Sequence, residues 1–183
     1  MTEVHVSNFI LKGQLRLNDI QEEGYFCGYA SVFDVVDRQK DRVERGAFEK
    51  SLHKGDDMPK MLWQHDTKEP IGVWQSIKED QKGLFVEGQL LMDLRRGREA
   101  HTLMKKGVVS GLSIGCQVVS ASFCEREKVR TLKELELLEI SLVTFAANDK
   151  AKVLAVKGHG ILNDYQMRLQ ESIQNAIMTL RSL

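Results

Sequence analysis

Two apolar stretches in the second half of the chain constrain its fold more than anything else in the sequence. They are VVSGLSIGCQVVSASF at 108–123 and TLKELELLEISLVTF at 131–145. Both are rich in β-branched and apolar residues, and the charged segment CEREKVR between them reads as a turn or hairpin end. An isolated pair of strands is marginal in water, so the hairpin needs further strands to cover its apolar side.

The segments before it supply them. Residues 4–16 alternate well enough for a strand or hairpin. Residues 25–33, YFCGYASVF, read as a strand, with Gly28 marking a bulge or a close backbone approach. Residues 34–46 are charged and aperiodic, which predicts an exposed loop. A short helix follows Gly46 and closes at Gly55. MPKMLWQHD at 58–66 is a short apolar run ending in polar residues, and Gln81-Lys82-Gly83 makes a hairpin turn between 73–80 and 84–92. RRGREAHTLMKKG at 95–107 is helical, with Ala100, Leu103 and Met104 on one side and Gly107 as its stop. After Lys157-Gly158-His159-Gly160 the character changes. Leu162, Leu169, Ile173, Ala176, Leu180 and Leu183 recur at helical spacing, the narrow stripe of an amphipathic helix. The expected organisation is a β-rich domain at 1–157 and a helix within 158–183 that packs, oligomerises or targets.

Charge and composition exclude several function classes. Among 183 residues, 26 Lys and Arg balance 26 Asp and Glu. The basic excess that drives nonspecific nucleic-acid binding is therefore missing. No apolar run reaches the roughly 20 residues that span a bilayer, and the first twenty residues lack the apolar core of a signal peptide. Neither a membrane nor a nucleic-acid partner is expected, and a cytoplasmic setting is. Three cysteines without a CxxC, and five scattered histidines without an HExxH, predict no disulfide framework, metal or cofactor.

Three residues carry the chemistry best. In GLSIG, Leu112, Ile114, Cys116 and Val118 share one parity, so Ser113 faces the other way between Gly111 and Gly115. A serine flanked by two residues without side chains leaves room for a substrate backbone to approach; the bland alternative is a strand serine among packing glycines. Glu139 has the parity of Leu135, Leu137, Val143 and Phe145. A carboxylate on an apolar face needs a partner, either a histidine N–H or an arginine. His65 ends the Met61-Leu62-Trp63 run and is the side chain suited to general-base work near neutral pH, or else a solvated histidine. Asp66 follows His65 directly, and neighbours on a strand point to opposite faces, so Glu139 is the better orienting partner. His53 and His101 sit beside lysines on helices and look solvent-facing. Ser110 has glycine on one side only, and Cys116 lies on the apolar face as a core thiol. Arg95-Arg96-Gly97-Arg98 is either a solvated helix start, a cradle for an acidic substrate segment or a support for an oxyanion site.

Five ordered blocks carry a resemblance: YASVFDVVDRQKDRVERGAF at 29–48, WQHD at 63–66 with EPIG at 69–72, RRGREAHTLMKKGVVSGLSIG at 95–115, and LELLEISLVTFAAND at 135–149. Together they resemble the prohead (procapsid maturation) proteases of tailed bacteriophages, relatives of the herpesvirus assemblins. The resemblance covers roughly residues 25–157. It implies an α+β fold, a small, mostly antiparallel β-barrel with peripheral helices, to which the C-terminal amphipathic helix is appended. It also implies a serine endopeptidase with His65 as base, Ser113 as nucleophile and Glu139 as third member; the assemblins use a second histidine in that place. Cys116 stands where many relatives have an aromatic, and Ala146 or Ala147 where many have proline. The implied partners are the capsid protein, its scaffold segment and the chain itself, inside a procapsid in the host bacterial cytoplasm. A non-catalytic capsid-assembly or binding module on the same barrel is the alternative.

Overall fold

In the computed structural model, which describes residues 24–53 and 58–156, the hairpin that dominates the sequence also dominates the fold. Its strands are β6 (Gly111–Cys124) and β7 (Val129–Val143), paired antiparallel along almost their whole length. The preceding elements are β1 (Tyr25–Val32), β2 (Asp41–Val43), α1 (Glu49–His53), β3 (Lys60–Trp63), β4 (Asp66–Glu79), β5 (Gly83–Leu90) and α2 (Arg95–Lys105). β8 (Val153–Val156) follows the hairpin. The strands form one eight-stranded sheet, mostly antiparallel, with β2 and β3 joining β7 in parallel. It is a β half-barrel with few helices. β1 carries β8 at its edge, and the segment entering β8 reaches β6, with Leu112 N donating to Ala151 O and Val153 N to Ser110 O.

The core lies inside this curl. Phe26, Ile71, Leu84, Val86, Leu112, Ile140 and Leu142 are almost fully buried. On the hairpin, Leu112, Ile114 and Cys116 pair with Leu142, Ile140 and Leu137 and turn inward, whereas Val118, opposite the buried Leu135, is exposed. At 1.5–3 kcal/mol per fully buried aliphatic side chain, this face is a main source of the fold's stability. Phe33 and Phe48 stack beside it, and α2 adds Ala100 and Met104.

Four expectations change. The loop expected at 34–46 contains β2, because Asp41–Val43 pair in parallel with Arg130–Leu132 and Asp41 forms a two-point ion pair with Arg130. The strand expected at 73–80 begins earlier, at Asp66. His101 is buried against the sheet rather than solvent-facing. Glu139 does not share a face with Leu135 and Leu137, because a bulge at Leu138 lies between them. Gly28 behaves as anticipated: a Cβ there would lie 2.4 Å from Lys152 O, and the β1–β8 register shifts beside it. Gly107 ends α2 with a φ of 69°. The expected strand at 4–16, the Gly55 stop and the helix after Gly160 lie outside the described residues.

Candidate active site

A single extra residue in β7 builds the site. Gly115 pairs with Glu139 and Cys116 with Leu137, which leaves Leu138 without a partner. Such a bulge reverses the facing of everything beyond it. Leu138 turns out to solvent, and Glu139 turns away from the core onto the face that carries Ser113. Ser113 lies directly opposite Ser141, and Gly115 directly opposite Glu139.

The histidine arrives from β3 and β4. Trp63 pairs with Asp66, so Gln64 and His65 form a two-residue hairpin turn, with φ of 54° and 62°. Left-handed backbone at two consecutive non-glycine residues suits the tight turn but costs about 1–2 kcal/mol each. Anchors to β7 and just beyond it offset this cost. Gln64 N donates to Leu142 O, its side chain exchanges two hydrogen bonds with Thr144, and His65 N donates to Ser141 Oγ at 3.1 Å.

The His65 ring then meets Glu139. Nδ1 and Oε1 are 2.6 Å apart, with the histidine side chain 44% exposed and the glutamate 13%. The hydrogen bond to Glu139 raises the His65 pKa above its ordinary value of 6.5; partial burial opposes this, and the glutamate's charge adds to it. With Nδ1 engaged, Nε2 is the nitrogen left for proton transfer. Asp66, the sequence neighbour, instead accepts from the Lys68 amide.

His65 and Ser113 line one pocket of about 220 Å³, whose walls include Leu112, Ile114, Val43, Asp37 and Asp41. Among the described residues, Ser113 Oγ makes no hydrogen bond. Catalytic contacts are often long in unliganded sites and tighten with substrate. Cys116 shares the pocket, but burial and the charges of Asp41 and Glu139 push its thiol pKa up. That disfavours the thiolate a cysteine nucleophile needs. The basic cluster is largely occupied: Arg96 bonds Glu69 and Glu99 and lies over Trp63, while Arg95 bonds Glu99.

Of the two uses the sequence leaves open for the glycines around Ser113, the contacts fit packing. A Cβ at Gly115 would lie 2.2 Å from Glu139 Oε1, and one at Gly111 would lie 2.7 Å from Val143 O. The space is filled from within, by the carboxylate and by the neighbouring strand, not kept for substrate. Gly115→Ala is therefore expected to keep the fold but expel Glu139 from the His65 ring. Titration of the His65 ring by NMR checks this, and the pKa should fall toward the ordinary histidine value.

A histidine that bonds a carboxylate and shares a pocket with a strand serine, on a β half-barrel, is a constellation that acyl-transfer hydrolysis of a peptide bond can use. A family model described as the caudovirus prohead serine protease matches residues 12–162. The chain belongs to that family, the peptidases of phage procapsid maturation. It is 35% identical over 157 residues to the prohead protease of Enterobacteria phage HK97, which spans 83% of this chain and 70% of that one. It is also 30% identical over 90 residues to the prohead protease of Escherichia phage T5, covering 49% of this chain and 42% of the relative. Among solved structures, the bacteriophage T4 capsid assembly protease superposes with a TM-score of 0.52 at 13% identity, covering 65% of this chain and 82% of that one, a likeness of fold.

Proposed function

We propose that the chain is a serine endopeptidase that cleaves the scaffold segment of the capsid protein, or a separate scaffolding protein, and itself, inside the assembling procapsid. The observation that carries the reading is that His65, bonded to Glu139, lines the same pocket as Ser113. In the proposed mechanism His65 Nε2 takes the proton of Ser113 Oγ as the oxygen attacks the scissile carbonyl. It then passes that proton to the leaving amine, and water completes the second half by the same route. Glu139 holds the ring in the tautomer that presents Nε2 and stabilises its cationic form. Family membership supports the substrate, since prohead proteases act where capsid and scaffold are packed together. The test is coexpression with a candidate phage capsid protein, with products read by mass spectrometry. Intact capsid protein in the presence of wild-type chain would favour the non-catalytic assembly module.

The pH dependence follows from the histidine. As a general base His65 must be neutral, and its pKa is raised. The acid limb of kcat/KM should therefore lie above 6.5, with activity falling as pH drops through the raised value. Stability runs the other way. A raised folded pKa contributes stability that is full below the unfolded value and lost as pH rises through the folded one. The pair is thus tightest where the enzyme is least active. An acid limb below the ordinary histidine value would remove His65 as the base.

A further inference from the structure

Ser141 has no part in the chemistry proposed so far, yet its hydroxyl bonds both Glu139 and the main chain of His65. It is 0% exposed, between Ile140 and Leu142, which point into the core. A hydroxyl buried among such residues is costly unless bonded. Its bonds are specific. Ser141 Oγ donates to Glu139 Oε2 at 2.6 Å and accepts the main-chain N–H of His65 at 3.1 Å. Glu139 Oε1 meets His65 Nδ1 at 2.6 Å. Three hydrogen bonds therefore close a loop through carboxylate, hydroxyl and histidine.

We propose that Ser141 is a positioning residue that fixes the Glu139 carboxylate and the main chain of His65 relative to each other, so that the imidazole meets Ser113 in one orientation. The proposal rests on the reading of His65 and Glu139 as working groups. A carboxylate reaching over Gly115 has one oxygen on the ring; without a second anchor it can rotate and turn to water. Ser141 supplies that anchor and takes up the second oxygen. The same hydroxyl receives the amide of a residue in left-handed backbone, so the strained turn and the carboxylate are held by one atom. The placement is economical in sequence: Glu139 and Ser141 are two apart beyond the bulge, and so on one face. Other charged groups are spoken for. Asp66 bonds the Lys68 amide, and Asp41, across the pocket, is held by Arg130; Asp37, on that same wall, accepts the Gln39 and Asp41 amides.

Ser141→Ala should leave KM nearly unchanged and lower kcat by about 10–100-fold, the scale seen when a partner that orients a metal-bound histidine or carboxylate is removed. A second reading does not depend on cleavage. In a Ser113→Ala background, the His65 ring followed by NMR should titrate above its ordinary value. With Ser141→Ala added, that titration should move down toward the one seen with Glu139→Gln. Should Ser141→Ala fail to fold, Ser141→Cys keeps the volume with only a weak donor and gives the same two readings. An unchanged ring titration together with unchanged kcat would overturn the positioning role. Full cleavage by Ser113→Ala would instead overturn the proposed nucleophile, and the ring titration would still decide Ser141.

Discussion

Ser113→Ala should fold as the parent does and lose cleavage by on the order of 10⁴–10⁶, the usual range for a nucleophile that works with its base. The substitution deletes one oxygen from a half-buried strand residue that faces away from the core, opposite Ser141. Among the described residues that oxygen has no hydrogen bond, so its removal strands no partner and stability should change little. A mutation that is silent for the fold and decisive for the chemistry is the signature sought. Melting temperature and cleavage of a coexpressed capsid protein read the two properties separately. Ser110→Ala is the control. Ser110 precedes β6, and its carbonyl accepts from Val153, a main-chain contact that alanine preserves. Normal cleavage by Ser113→Ala with loss in Ser110→Ala would move the nucleophile. A serine-directed covalent reagent should label Ser113 and spare Cys116, whose thiol pKa is raised chiefly by burial.

The sequence announces the hairpin because two long apolar, β-branched runs flank a charged turn, and it announces α2 because Ala100 and Met104 fall on one face before a left-handed glycine. It hides β2, since three residues are too few to show a period and their pairing is with a strand about 90 positions away. The site is a mixed case. His65, Ser113 and Glu139 stand out one by one, but Glu139 lies on the face opposite to the one its spacing from Leu137 suggests. Counting by twos from Leu137 puts Glu139 in the core, whereas the bulge at Leu138 turns it toward Ser113. The conclusion that the carboxylate needs a partner survives, because Glu139 is still largely shielded from water. Nothing in a single sequence marks a bulge within LELLEIS, where either parity leaves a leucine outside. Ser141 is invisible for the same reason: its value lies in two hydrogen bonds that exist only once the turn at Gln64 and His65 has docked. Of the two readings of the glycines flanking Ser113, the packing one fits the contacts, since their free space is taken up by Glu139 and the β7 backbone.

His65→Ala should be about as damaging as Ser113→Ala, because a serine hydroxyl near neutral pH is a poor nucleophile until a base removes its proton. The fold should survive. The ring is substantially exposed, and the anchors of its turn are main-chain or Gln64 contacts that alanine keeps, among them His65 N to Ser141 Oγ. What alanine lacks is some tolerance of the left-handed backbone at this position, so a small loss of melting temperature is expected. Glu139 is left without its ring partner, but its other oxygen keeps Ser141, and loss of the half-exposed ring opens the first oxygen to water. The sharper measurement is the double variant. If Ser113 and His65 act as one unit, removing both should cost no more than removing either, since the first loss already disables the second group. Cleavage by Ser113→Ala, His65→Ala and the pair, assayed on the same capsid substrate at matched concentration, should fall to one common floor. A double variant slower than both singles by a further factor comparable to either would mean that the two residues contribute independently, and the serine–histidine mechanism would have to be abandoned.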